Sequence, residues 1–194
     1  CRIVTQSETS HGPASRPPIE RLAHHWWALC LFVSAFLVRV HWNLEAHPIG
    51  QFLYSDMKGY NGRADKLIDK FGARGEYNAF FPPGTAYLLA PVKLVFGQEN
   101  FTAIGVFYAL MGAFVVLNTY WIARRLGPRP WVAPVVGLVL VLYYPLLSLG
   151  GYILSEIPAS LCMTTATLLL LRLSDEGQAR DAWGAGLAAG IGIA

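Results

Sequence analysis

The sequence predicts an all-α integral membrane protein, a multi-span helical bundle whose first external loop carries an amphipathic interfacial helix. Of its 194 residues, 54% are hydrophobic and 14% are charged, whereas about a quarter of the residues in a soluble domain are charged. The apolar residues come in long blocks rather than in an amphipathic alternation. The net charge of +3 is too small to indicate a nucleic-acid partner.

The chain divides into a polar cytoplasmic tail, residues 1–21, and a membrane domain, residues 22–194, which we expect to be the N-terminal part of a longer one. An apolar run of about 20 residues crosses a bilayer as a helix. The predicted spans are residues 22–42, 101–123, 131–149, 152–173 and 182–194, and we expect the last to continue beyond Ala194. Residues 43–100 form the external loop, within which residues 85–96 are apolar but too short to cross.

The orientation follows from the short link RRLGPRP, which holds Arg124, Arg125 and Arg129 and no acidic residue. Short cytoplasmic links are rich in Lys and Arg, so this link is predicted to be cytoplasmic and residues 43–100 to be external. We expect a multi-pass protein of the bacterial inner membrane whose active site faces the periplasm.

Arg39 and His41, near the outer end of the first span, are predicted to snorkel to the interface.

The stretch YSDMKGYNGRADK begins the amphipathic helix of the external loop. Apolar residues recur there at steps of three and four, at Tyr60, Ala64, Leu67, Ile68 and Phe71. Ser55 or Asp56 is a suitable N-cap, and Gly72 a suitable end. A cap contributes about 1 kcal/mol and explains Asp56 without catalysis. Its place at head-group depth also suits a reacting group.

Two further features have both a structural and a functional interpretation. Pro83 and Gly84 predict a helix start, either a simple entry turn or a set of N–H groups directed at a phosphate. Glu156, near the outer end of the fourth span, either caps that span or faces a polar cavity, because a carboxylate in an apolar stretch is otherwise costly. Ser155 and Tyr152 beside it favour the cavity.

The order of these features resembles the N-terminal part of the GT-C membrane glycosyltransferases, which use lipid-phosphate sugars. The class includes protein O-mannosyltransferases and the aminoarabinose transferases that modify lipid A. The resemblance lies in SDMKGY after the first span, FPPGTAYLLAP, the basic inner link, and SE at the fourth span, and it extends from about Leu22 onward. Many members have a second acid directly after the aspartate, where this chain has Met57.

The resemblance implies a glycosyltransferase that moves a sugar from a polyprenyl-phosphate donor to a hydroxyl of a glycan, lipid or protein acceptor. It places the general base on Asp56 and predicts inversion at the anomeric carbon. Independently, a phosphate leaving group needs charge neutralisation. The candidate substrate- or phosphate-binding residues are Lys58, Tyr60, Arg63, Pro83, Gly84 and Glu156. No metal ligand is assigned, and a divalent metal is left open. Membrane lipids are the other expected partners.

Two alternatives remain at this point, a multi-span transporter or lipid flippase and a non-catalytic scaffold of the cell envelope. A transporter is expected to place polar groups near the bilayer midplane. Here Gly137 and Pro145 interrupt the third apolar run, but the second and third runs have no charged residue at mid-depth. The polar residues that could take part in chemistry lie instead on one side of the membrane, which favours a reaction at the membrane surface.

Overall fold

The computed structural model describes residues 18–69 and 83–193, which are largely helical and contain no strand. The all-α class is therefore confirmed. The helices are α1 (Pro18–His41), α2 (Asp56–Asp69), α3 (Gly84–Phe96), α4 (Phe101–Leu126), α5 (Val132–Leu142), α6 (Tyr144–Leu149), α7 (Glu156–Glu176) and α8 (Ala179–Ile193). A π-helical turn, Trp42–Ala46, and a 3-10 turn, Ile49–Gln51, follow α1.

Three segments of the described chain are long and apolar enough to cross a membrane. They are His24–Gln51, Phe101–Leu126 and Glu156–Asp175. The predicted third span, residues 131–149, is instead two helices, α5 and α6. With 11 residues, α5 is roughly 16 Å long, about half the thickness of the hydrocarbon core.

The break between α5 and α6 has a local cause at Pro145. Proline has no N–H to donate to the carbonyl four residues earlier, and its ring clashes with that carbonyl. The backbone of Tyr143 turns extended, with φ −67° and ψ 101°, and α6 restarts with Pro145 in its first turn. Carbonyls in the last turn of α5, including that of Leu140, consequently lose their partners within a continuous helix.

Arg39 of α1 satisfies one of these carbonyls. Its guanidinium donates to the carbonyl oxygens of Leu140 and Ala35, both at 3.2 Å, and the residue is only 1% exposed. The side chain crosses α4 at Gly112, where a Cβ atom would lie 2.8 Å from Arg39 Cδ. The prediction that Arg39 snorkels to the interface is thus wrong, because the broken helix provides buried acceptors for it. His41 is exposed, 3.6 Å from the Glu45 carboxylate.

Contacts at the two ends of the bundle fix which helix ends share a side. At one end, Arg124 of α4 contacts His24 of α1, and Arg125 forms an ion pair with Asp175 of α7. At the other end, Asn43 donates to the Gly105 carbonyl at 2.9 Å. The basic link therefore lies on the opposite side from α2, α3 and the start of α7.

The amphipathic helix α2 packs on α3 and on the bundle. Its buried residues are Met57, Tyr60 and Ala64. Gln98, just after α3, donates to Asp69 at 2.9 Å, while Lys93 contacts residues one to two turns earlier in α2. Residues later in the α3 region thus contact residues later in α2, so the two helices run in the same direction and begin at the same end of the pair. The predicted Phe71 and Gly72 lie outside the described residues.

Candidate functional site at the outer helix starts

Asp56 is the first residue of α2, and its side chain is exposed. Ser55 stands at the capping position and its hydroxyl donates to Asp56 Oδ1 at 3.3 Å. Ser55 has φ +48°, the one positive φ among the described non-glycine residues. A left-handed conformation costs such a residue about 1–2 kcal/mol. The strained backbone turns the chain into α2 and presents the Asp56 carboxylate at the positive end of the helix dipole.

Met57, where many GT-C enzymes have a second acid, is buried at 2% exposure in the apolar core. The side chain that follows Asp56 therefore points away from solvent, among Leu89, Ile104 and Tyr108. A carboxylate at that position would be buried against apolar groups, which is costly. The local fold thus presents Asp56 as a single exposed carboxylate rather than as half of an acidic pair.

Glu156 occupies the equivalent place in another helix. It is the first residue of α7, it is exposed, and Ser155 precedes it at the capping position. The apolar helix begins at Glu156 and not before it, so the carboxylate stands at the helix start, where no side-chain hydrogen bond forms a cap. The carboxylate lies where the dipole of α7 favours a negative charge.

Tyrosine hydroxyls join the starts of α2 and α7. Tyr60 of α2 donates to Ser155 Oγ at 3.4 Å, and Tyr108 of α4 donates to the Leu154 carbonyl at 2.9 Å. The Tyr108 hydroxyl also lies within electrostatic reach of Glu156. Asp56 and Glu156, far apart in the sequence, are thereby held on one side of the bundle at two neighbouring helix starts.

A second tyrosine pair lies beside Asp56. A hydrogen bond with Tyr54 raises the pKa of Tyr152 above its ordinary value, with partial burial as a smaller cause. The rings meet edge to face, with centroids 6.3 Å apart. The phenol of Tyr152 therefore stays protonated at neutral pH, as a neutral hydrogen-bonding group three residues before Ser155 at the start of α7.

The sequence did not indicate that aromatic side chains pack against the Tyr54–Tyr152 pair. The His47 ring stacks on Phe52 with centroids 3.8 Å apart and meets the edge of Tyr152 at 4.7 Å. Trp42 lies parallel to the His47 ring, with centroids 6.0 Å apart. A Cβ atom at Gly151 would be 3.0 Å from both His47 Nδ1 and Trp42 Nε1, so a larger residue there would require these rings to shift by a few tenths of an ångström. The Gly-Gly pair before Tyr152 was the available signal.

The remaining predicted residues stand at different distances from Asp56. Lys58 is exposed in the first turn of α2, and Arg63 is half-buried further along the same helix. Gly84 begins α3 after Pro83, with no side-chain cap at this helix start. Because α2 and α3 run in the same direction, this start lies at the same end as Asp56. Among the described residues, no hydrogen bond joins Pro83 or Gly84 to Asp56.

The described residues contain no group of three or more His, Cys, Asp or Glu side chains that could hold a metal ion. The groups gathered at this end are instead two carboxylates, tyrosine hydroxyls, a lysine and three helix N-termini. Such N-termini attract anions through their unpaired N–H groups and their dipoles. The arrangement can therefore accept a proton on a carboxylate and bind an anionic group nearby.

Comparison with known families agrees with this chemistry. Residues 28–194 match the family described as dolichyl-phosphate-mannose-protein mannosyltransferase. The chain belongs to this family. The family has the GT-C fold, so the resemblance noted in the sequence is confirmed. No curated protein and no solved structure matches the chain.

Membership in the mannosyltransferase family fixes the general activity. It implies a membrane glycosyltransferase that depends on a polyprenyl-phosphate sugar, with mannose as the sugar of the family. Family members use dolichyl- or polyprenyl-phosphate mannose as donor and protein as acceptor. The transporter and scaffold hypotheses lose their support, because neither requires a sugar-transfer domain.

Proposed function

We propose that this mannosyltransferase moves mannose, a hexose, from a polyprenyl-phosphate donor to a polypeptide hydroxyl at the outer face of the membrane. The reaction inverts the anomeric carbon, and Asp56 is the general base. The observation that carries the proposal is the exposed Asp56 carboxylate at the start of α2, supported by the strained Ser55.

The chemistry needs one base and one anion site. The acceptor oxygen attacks the anomeric carbon while its proton passes to the Asp56 carboxylate. The bond from that carbon to the phosphate oxygen breaks, and its electron pair leaves with the lipid phosphate. Phosphate is already a good leaving group, so the catalytic demand is proton removal and charge stabilisation. A single displacement of this kind inverts the anomeric centre.

The leaving phosphate is assigned to the positive groups at this end of the bundle. Lys58 and Arg63 supply charge from α2, and the start of α3 after Pro83 supplies backbone N–H groups from Gly84 onward. Tyr60 holds α2 against Ser155. Glu156 is exposed and accepts hydrogen bonds, which suits the hydroxyl groups of mannose or the acceptor.

The outer face is proposed from charge distribution. The link with Arg124, Arg125 and Arg129 is at the end of the bundle opposite Asp56. Since basic links are cytoplasmic, the Asp56 side faces the periplasm in a bacterial inner membrane. The donor phosphate would then lie at the outer head-group level, within reach of the start of α2.

The proposal is tested with the intact protein in lipid vesicles. We expect mannose to pass to an acceptor polypeptide from radiolabelled polyprenyl-phosphate mannose, and not from nucleotide-linked mannose. A polyprenyl-phosphate pentose serves as the matched control for the sugar and should give little product. Comparable transfer from the nucleotide-linked sugar would contradict the proposed donor class, and efficient pentose transfer would contradict the proposed hexose.

A further inference from the structure

Lys93, in the last turn of α3, is a cation buried in the contact between α2 and α3. The residue is 1% exposed, and its ammonium group forms an ion pair with Asp65 of α2. It also donates to Asn61 Oδ1 at 2.9 Å. In the sequence Lys93 is one of several basic residues of the external loop, and nothing there distinguishes it. In the fold it is the one fully buried lysine among the described residues.

A buried ammonium group restricts how α2 can lie on α3. Removing an ion from water costs several kcal/mol unless a partner of opposite charge and hydrogen-bond acceptors surround it. Asp65 and Asn61 satisfy these needs in the observed register. A slide by one helical turn would move them roughly 5.4 Å from the ammonium group. In one direction the slide would bring Asp69 to the place of Asp65, but it would also separate Tyr60 from Ser155. Of the uses of buried ion pairs, the fixing of register is the best attested.

The helix that Lys93 fixes is the one that begins with Asp56. Asn61 and Asp65 follow Asp56 by roughly one and a half and two and a half helical turns. Tyr60, which lies between Asp56 and Asn61, donates a hydrogen bond to Ser155 at the start of α7. A shift of α2 along α3 would therefore move the Asp56 carboxylate relative to Glu156. A displacement of about 1 Å at a reacting group can lower a rate about 100-fold.

We propose that Lys93 is a positioning residue for the transfer reaction, acting through Asp65 and Asn61 on the placement of Asp56. The inference rests on the proposed role of Asp56 as the base. It differs from a general role in folding in one respect. Loss of Lys93 should lower the rate of the chemical step only while the Asp56 carboxylate is present.

The test is a double-mutant cycle on kcat, in the intact protein, with Lys93→Met and Asp56→Asn alone and together. Lys93→Met is expected to lower kcat about 10- to 100-fold, with the KM for the lipid-linked donor changed by less than about twofold. In the Asp56→Asn background the same substitution should lower kcat by less than about twofold. Equal losses in both backgrounds would overturn the proposal, because independent effects multiply.

Two further variants keep the result interpretable. Gln98→Ala removes the exposed hydrogen bond to Asp69 at the far end of the same helix pair, and it should leave kcat unchanged. If Lys93→Met fails to fold, Asp65→Asn enters the same cycle, since it keeps a side chain of the same shape beside Lys93. Loss of activity in Gln98→Ala equal to that in Lys93→Met would contradict a specific role for Lys93. A wild-type rate in Asp56→Asn alone would instead overturn the proposed base.

Discussion

Replacement of Asp56 by Asn is expected to lower kcat by about 10²- to 10⁴-fold, the contribution usual for a general base. Asparagine has nearly the same shape and still accepts a hydrogen bond from Ser55, but it cannot take up the acceptor proton. Donor binding depends on the phosphate and the lipid, so the KM for the donor should change little. Single-turnover transfer from labelled polyprenyl-phosphate mannose measures the chemical step directly.

Asp69→Asn is the matched control for this variant. Asp69 lies at the other end of α2, is exposed, and accepts a hydrogen bond from Gln98. The same chemical change there should leave turnover within about twofold of wild type, because surface substitutions away from special features have small effects. Undiminished turnover in Asp56→Asn, or an equal loss in the two variants, would remove the case for Asp56 as base.

Replacement of Arg39 by Ala is expected to give the largest loss of stability, about 3 kcal/mol. The break at Tyr143 leaves the Leu140 carbonyl without a helical partner, and Arg39 is the donor that satisfies it. The substitution therefore leaves this carbonyl unsatisfied in the bundle, which costs about 1–3 kcal/mol. It also removes the side chain that packs across Gly112, and the space left behind adds to the cost.

Thermal unfolding of the purified protein in detergent measures this effect. For a protein of this size, 1 kcal/mol corresponds to a change of about 2–4 °C in Tm, so Arg39→Ala should lower Tm by roughly 10 °C. Arg129→Ala, a change of the same type at an exposed residue of the basic link, should alter Tm by no more than about 2 °C. Equal Tm values for the two variants would contradict the account of Arg39.

The long helices were predictable because an apolar run of about 20 residues has few alternatives to a membrane span. The start of α2 was predictable too, since the spacing of Tyr60 and Ala64 and a nearby capping residue are local signals. Asp56 and Glu156 each stood out as acidic residues beside apolar runs. These features depend on residues within a few helical turns of one another.

What could not be predicted depends on contacts between distant parts of the chain. Arg39 and Leu140 are separated by 101 positions, and Lys93 and Asn61 by 32. In the sequence, Arg39 has the pattern of a snorkelling residue, and only the break before α6 makes a buried guanidinium stable. The proximity of the helix starts at Asp56 and Glu156 depends likewise on the hydrogen bond between Tyr60 and Ser155, which are 95 positions apart in the sequence.

The anomeric configuration of the product tests most directly the central claim, that the sugar moves in the single displacement for which Asp56 is the proposed base. The donor would be polyprenyl-phosphate mannose of known configuration, labelled with ¹³C at the anomeric carbon, and the one-bond carbon–hydrogen coupling in the glycosylated acceptor would report the outcome. A single displacement gives a product with the configuration opposite to that of the donor. A product with the donor's configuration would contradict it, because retention requires a second displacement.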